Sequence, residues 1–164
     1  MSIIRSIKTV FFCSVFVILS LICFSSCSSL LFTAYSTPEK AIESSYDEII
    51  QDAEIYLIEE RIDLIEQDDI AIYIYRAANE TLQIAYLEIR NDGYVMHEIK
   101  SYYEKNDVDS NLEVSDNLSP NNRIYCKLSL NDDERLDDYT KKTYELDIFG
   151  ETNVYYFYYK IVNK

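Results

Sequence analysis

Histidine occurs once, at position 97, in a chain of 164 residues. A centre built from several imidazoles, such as a His-rich zinc site, is therefore excluded. Glycine occurs only twice. That rules out a Walker loop or a dinucleotide loop, both of which need several glycines where backbone approaches phosphate. Basic residues are scarce as well: 15 Lys and Arg stand against 29 Asp and Glu, a formal net charge of −14. Phosphate binding rests on clustered cations and counterion release, so the balance argues against a nucleic-acid partner. Tryptophan is absent, proline occurs twice, and no Gly-x-Ser-x-Gly elbow is present to carry a serine nucleophile. The length accommodates one domain plus an N-terminal segment.

That segment differs in composition from the rest. Arg5 and Lys8 form a short basic region, and an uncharged apolar run from Val10 to Phe24 follows. Ser25 and Ser26 then precede Cys27, and no acidic residue occurs before Glu39. This is the order of a secretory signal, with the basic end retained on the cytoplasmic side. Phe24-Ser25-Ser26-Cys27 resembles the lipobox of bacterial lipoproteins, in which the cysteine is acylated and becomes the new N-terminus. The resemblance implies a signal peptide over 1–26, a lipidated tether over 27–36, lipidation of Cys27, and attachment to the cell membrane on its extracytoplasmic side. Cys13 and Cys23 lie inside the apolar run and take no such role. Two alternatives stay open: an uncleaved single-pass anchor extended through Leu30, Leu31 and Phe32, and ordinary cleaved secretion.

Loss of the signal removes two basic residues and no acidic one, leaving 13 against 29, or −16. If Cys27 is lipidated, Cys126 is the one other cysteine of the exported chain, so no intramolecular disulfide forms. The core alone must hold the fold.

Thr37-Pro38-Glu39-Lys40 opens a helix, with Thr as cap, Pro at the first position and Glu at the positive end of the dipole. Ala41, Ile42, Tyr46, Ile49, Ile50 and Ala53 continue it at helical spacing. Alternation then takes over in Asp69–Arg76, Leu82–Arg90, Tyr94–Tyr103, Ile124–Leu130, Tyr144–Phe149 and Val154–Val162. Glu54–Glu66 fits helix and strand almost equally, and strand is favoured. Asn91-Asp92-Gly93 marks a hairpin, and Gly150-Glu151-Thr152-Asn153 joins the last two strands. Asn131–Thr143, with acidic residues first and Lys141 and Lys142 last, suggests a short helix. Glu104–Asn122 forms a long polar connection. The expected architecture is α+β, with an N-terminal helix packed on an antiparallel meander of about six strands over 37–164. From Thr37-Pro38-Glu39 onward the chain resembles small uncharacterised lipoproteins of Gram-positive bacteria, a likeness that implies no particular activity.

Candidate sites are few. Asp107, Asp109, Asn111 and Glu113 place oxygens at every second residue, like the first half of an EF-hand loop. Leu112 and Leu118 stand where that loop needs Gly and Glu, which excludes an EF-hand and leaves a weak irregular calcium site or a solvated acidic loop. His97 shares a strand face with Val95 and Ile99, which favours a hydrogen-bonded structural histidine over a general base. Cys126 shares its face with Ile124, Leu128 and Leu130, where burial raises a thiol's pKa and makes it inert. Tyr155-Tyr156-Phe157-Tyr158-Tyr159 is the most distinctive segment. Alternation sends Tyr155, Phe157 and Tyr159 one way and Tyr156 and Tyr158 the other. One side belongs to the core; the other is either a contact surface or a face covered by the helix.

These features point to a non-catalytic, membrane-tethered binding module with no cofactor. Its partner would be a basic protein, an envelope polymer or a cation. A cell-surface inhibitor or immunity protein is the alternative, and a hydrolase the weakest reading.

Overall fold

The computed structural model describes residues 33–49, 57–108, 112–115, 119 and 121–164. Cys27 and the signal therefore lie outside the described residues, as do Asp109 and Asn111. The folded unit runs from Ala34 to Lys164. One helix, α1 (Pro38–Ile49), precedes eight strands: β1 (Ile58–Gln67), β2 (Ile70–Ala77), β3 (Leu82–Arg90), β4 (Gly93–Tyr102), β5 (Glu113–Ser115), β6 (Asn122–Ser129), β7 (Thr140–Ile148) and β8 (Glu151–Asn163). Every pairing is antiparallel.

The strands form two sheets of four, in the orders β1-β2-β3-β4 and β5-β6-β8-β7, rather than one meander of about six. Only the first sheet is a meander; in the second, β8 inserts between β6 and β7. The cause is visible in β2, where Ile70, Ile72 and Ile74 point one way, Ala71, Tyr73 and Tyr75 the other, and all six are buried. A strand apolar on both faces needs a cover on each side. The isoleucines pack with Ile124, Cys126, Leu128, Tyr155 and Phe157 of the second sheet. On the other face Ala41 and Ile42 of α1 lie over Ala71, Tyr73, Ala85 and Leu87. The layers are helix, first sheet, second sheet, and among the described residues no helix lies on the outer face of the second sheet.

The cap of α1 forms as its sequence implies: Thr37 Oγ1 accepts the Lys40 N–H at 3.3 Å. Glu39 also accepts the hydroxyl of Tyr73 at 2.9 Å, fastening the first turn to β2. The β3–β4 hairpin turns at Asn91-Asp92, with Gly93 at φ +135°. The β7–β8 hairpin is tighter than expected. It turns on Phe149 and Gly150, both at positive φ, and Ile148 pairs directly with Glu151.

Asn131–Thr143 is not a helix. It holds a single 3-10 turn at Glu134–Leu136, and Thr140 already begins β7. Lys141 and Lys142, which look like a basic helix end, pair with Tyr158 and Phe157 across the strands. Leu146 and Ile148 alternate with Glu145 and Asp147, and that period of two prevails. The long connection after β4 contains a 3-10 turn at Lys105–Asp107, the buried Val108 and the short β5. Among the described residues no helix is long and apolar enough to cross a membrane.

Candidate functional site

The tyrosine run of β8 is divided by the pleat. Tyr155, Phe157 and Tyr159 sit in the core between the sheets. Tyr155 and Tyr159 are thereby unavailable as a contact surface. Tyr156 and Tyr158 point away from the core, on the face that the helix does not cover. Register places Lys127 and Lys141 on either side of Tyr158, Ser129 and Thr143 beside Tyr156, and Tyr125 beside Lys160. Tyrosine and lysine therefore alternate over the outer face of the second sheet.

The connection between β6 and β7 folds across this face. Tyr158 donates its hydroxyl to Asp132 at 2.6 Å and accepts the backbone N–H of Asp133 at 2.7 Å, which leaves its side chain buried. Asp132 takes Lys141 at 2.8 Å, Asp133 takes Lys127 at 3.0 Å, and Asp138 takes Lys160 at 2.5 Å. Lys141 lies 5.7 Å over the Tyr156 ring and Lys160 5.6 Å over the Tyr139 ring, within cation–π range. Hydrogen bonds from Arg135 and Lys127 hold the Asp133 carboxyl well below the usual carboxylate range. Those from Lys141 and Tyr158 lower Asp132 in the same way. Asp133 also caps the 3-10 turn by accepting the Arg135 N–H.

Around this strap three valines stand open to solvent. Val114, Val154 and Val162 all point outward from it, 49 %, 42 % and 37 % exposed, and they are among the most exposed large apolar side chains of the described residues. Val114 pairs with Tyr125, and Val162 pairs with Arg123.

Of the acidic series after β4, Asp107 serves structure. Asp107 Oδ2 accepts the N–H groups of Tyr103 and Glu104, each at 2.9 Å, and so closes the turn after β4. Glu113 is placed in β5 opposite Cys126. Among the described residues no group of three or more His, Cys, Asp or Glu is arranged to hold a metal ion.

His97 does not share its face with Ile99. The pairing shifts from Leu87–Met96 to Tyr86–Glu98, leaving His97 as the extra residue of a bulge, and alternation reverses there. Ile99 packs on the helix side with Met96. His97 Nε2 lies 3.1 Å from Glu88 Oε2, which also accepts Arg90 at 2.6 Å. Burial raises the Glu88 pKa, but Arg90 and His97 outweigh it and the net shift is downward. The Glu88 carboxylate is thus shared between the Arg90 guanidinium and the His97 ring.

Cys126 lies in the core with its sulfur 2.7 Å from the Tyr86 hydroxyl. A cleft of about 170 Å³ opens between β1 and β7, lined by Glu60, Ile62, Arg76, Glu145, Asp147 and Ile148 among others. Its Arg76 is engaged by Glu59 and Glu60.

The strap was missed in the sequence because its acidic residues fit a helix start equally well. Alternation of Tyr125, Lys127 and Ser129 against Ile124, Cys126 and Leu128 was the one signal for the face beneath it. No protein-family model, curated protein or solved structure matches this chain.

Proposed function

We propose that this protein is an extracytoplasmic lipoprotein, fastened to the membrane through Cys27, whose domain works as a non-catalytic interaction module. The domain is read as residues 37–164, with α1 the first helix of the exported chain and residues 27–36 the tether. The anchor is supported by the order of Arg5, Lys8, the apolar run and Phe24-Ser25-Ser26-Cys27. Stable attachment takes more than one acyl chain, which a lipidated N-terminal cysteine supplies.

The observation that carries the interaction role is unequal coverage of the two sheets. α1 packs on the outer face of the first sheet, while among the described residues the outer face of the second has only the polar strap and keeps Val114, Val154 and Val162 in water. Exposed apolar and aromatic groups gathered on one face mark interaction sites.

Mass spectrometry of the membrane fraction tests the anchor. The expected N-terminal peptide begins at Cys27 and carries acyl mass, and Cys27→Ala abolishes the modification. An intact Met1 terminus on the membrane-bound chain would establish the uncleaved anchor instead. Purification from native envelope tests the role: one stoichiometric protein partner supports an inhibitor or immunity protein, whereas retention by cell-wall material supports a polymer-binding module.

A further inference from the structure

We propose that the outer face of the second sheet is a docking surface for an acidic peptide segment of a partner protein, which the strap Asn131–Tyr139 occupies in the partner's absence. This deepens the interaction-module reading and rests on it.

The strap itself shows what the face recognises. It is an acidic peptide, Asn-Asp-Asp-Glu-Arg-Leu-Asp-Asp-Tyr, held through its carboxylates, the Asp133 N–H on Tyr158 and the Asn131 backbone on Ser129. Lys127, Lys141 and Lys160 each receive one aspartate, and Tyr158 clamps the chain between them. A chain of net charge −14 has gathered three lysines and Arg123 on this one face.

The strap is also made to be displaced. None of its residues is buried, so it contributes nothing to the core. Of its three lysine ion pairs, those of Asp132 with Lys141 and of Asp138 with Lys160 lie at the surface, where pairs are individually weak and screened by salt, while Asp133 with Lys127 is more enclosed. A partner segment reproduces those pairs and adds apolar contact with Val114, Val154 and Val162, which the strap leaves in water. A short acidic segment responds to the local lysines, because charge beyond a Debye length of about 8 Å is screened. A long polyanion spans the acidic remainder of the molecule and is repelled, which favours a peptide over a phosphate polymer.

Binding of a fluorescent peptide with the sequence of residues 131–139, followed by anisotropy, tests this on the full-length chain in detergent at low salt. The tethered strap competes at an effective concentration of millimolar order, so wild type binds weakly. Asp132→Asn, Asp133→Asn and Asp138→Asn together release the strap and tighten binding by at least about tenfold, the factor expected from three ion pairs of which two are fully at the surface. Adding Lys127→Gln and Lys141→Gln returns the affinity to wild type or below, and a peptide with its aspartates changed to asparagine does not bind. If the triple variant loses its near-UV tyrosine circular dichroism, Asp138→Asn alone carries the test, with a gain of about twofold from one pair. No gain in either variant overturns the proposal, and so does a gain that survives the lysine changes. Inorganic polyphosphate displacing the peptide at equal charge concentration would overturn it in favour of a phosphate polymer. Failure here leaves the Cys27 anchor standing, and an intact Met1 terminus leaves the peptide result standing.

Discussion

A Cβ placed on Gly93 would lie 2.1 Å from the carbonyl oxygen of Tyr35. Tyr35 and Tyr94 exchange two backbone hydrogen bonds of 2.8 Å, so the chain entering the domain is laid against β4 before α1 begins. Gly93 permits that approach and also holds φ at +135°, where L side chains rarely sit. Gly93→Ala must therefore strain the turn and break the bridge. The expected loss is about 3 kcal/mol, strain and two hydrogen bonds together. Urea unfolding measures it, and an unchanged midpoint would refute the role assigned to the bridge.

Tyr158 and Tyr156 look equivalent in the sequence and are expected to behave differently. Tyr158→Phe leaves the Asp133 N–H without its partner, while Asp132 Oδ1 keeps Lys141, at a cost of about 1–2 kcal/mol. Tyr156→Phe should stay within about 0.5 kcal/mol, as surface changes usually do. Arg135, 85 % exposed at the crest of the strap, gives a second readout. Trypsin should cut after it faster in Tyr158→Phe than in Tyr156→Phe. Equal cutting rates would mean that Tyr158 does not hold the strap.

Cys126 is expected to resist alkylation in the native protein. Its sulfur is buried between Ile124 and Leu128 and faces Tyr86. A thiol is attacked as the accessible thiolate, and this one is buried. Iodoacetamide labelling, mapped to the peptide containing residue 126, should appear only through the unfolding transition in urea. Labelling in buffer at a rate like that of a small thiol would show the core to be open there.

Much of the scaffold was legible in the sequence, and the unread parts share a cause. Period and turn chemistry are local, so Thr37-Pro38, the alternating runs and Gly93 could be read directly. Separation into two sheets is not local. It depends on both faces of β2 being apolar and on β8 choosing β6 and β7 as neighbours, which no short window encodes. The bulge at His97 likewise reverses one face through a pairing made with β3, between Leu87–Met96 and Tyr86–Glu98, that is invisible in either strand alone. At the candidate site the alternation of tyrosines was readable. Which of them the strap covers was not, because Asp132 and Asp133 reach Tyr158 across 25 residues or more of sequence.

The pH dependence of stability follows from groups that join the layers. Burial raises the Asp63 pKa, but hydrogen bonds from Tyr144 and Lys142 outweigh it and the net shift is downward, tying β1 to β7. In Asp69 burial is outweighed in the same way by Ser119 and Asn122, which join the β1–β2 turn to the start of β6. Asp132 and Asp133 are lowered by the strap contacts. A carboxyl whose pKa falls on folding stabilises the native state fully above its unfolded value, about 4, and loses that contribution as pH drops through the folded value. The hydroxyl of Tyr94 shifts the other way, pushed up to about 12 by its hydrogen bond to Glu66. Its contribution is complete below about pH 10, the unfolded value, and disappears as pH rises through about 12. Urea midpoints should thus be level between about pH 5 and 9 and fall on both sides. Asp63→Asn should lower the plateau and flatten the acid limb, and Tyr94→Phe should flatten the alkaline limb alone. An acid limb as steep in Asp63→Asn as in wild type would remove Asp63 from the groups that join the sheets.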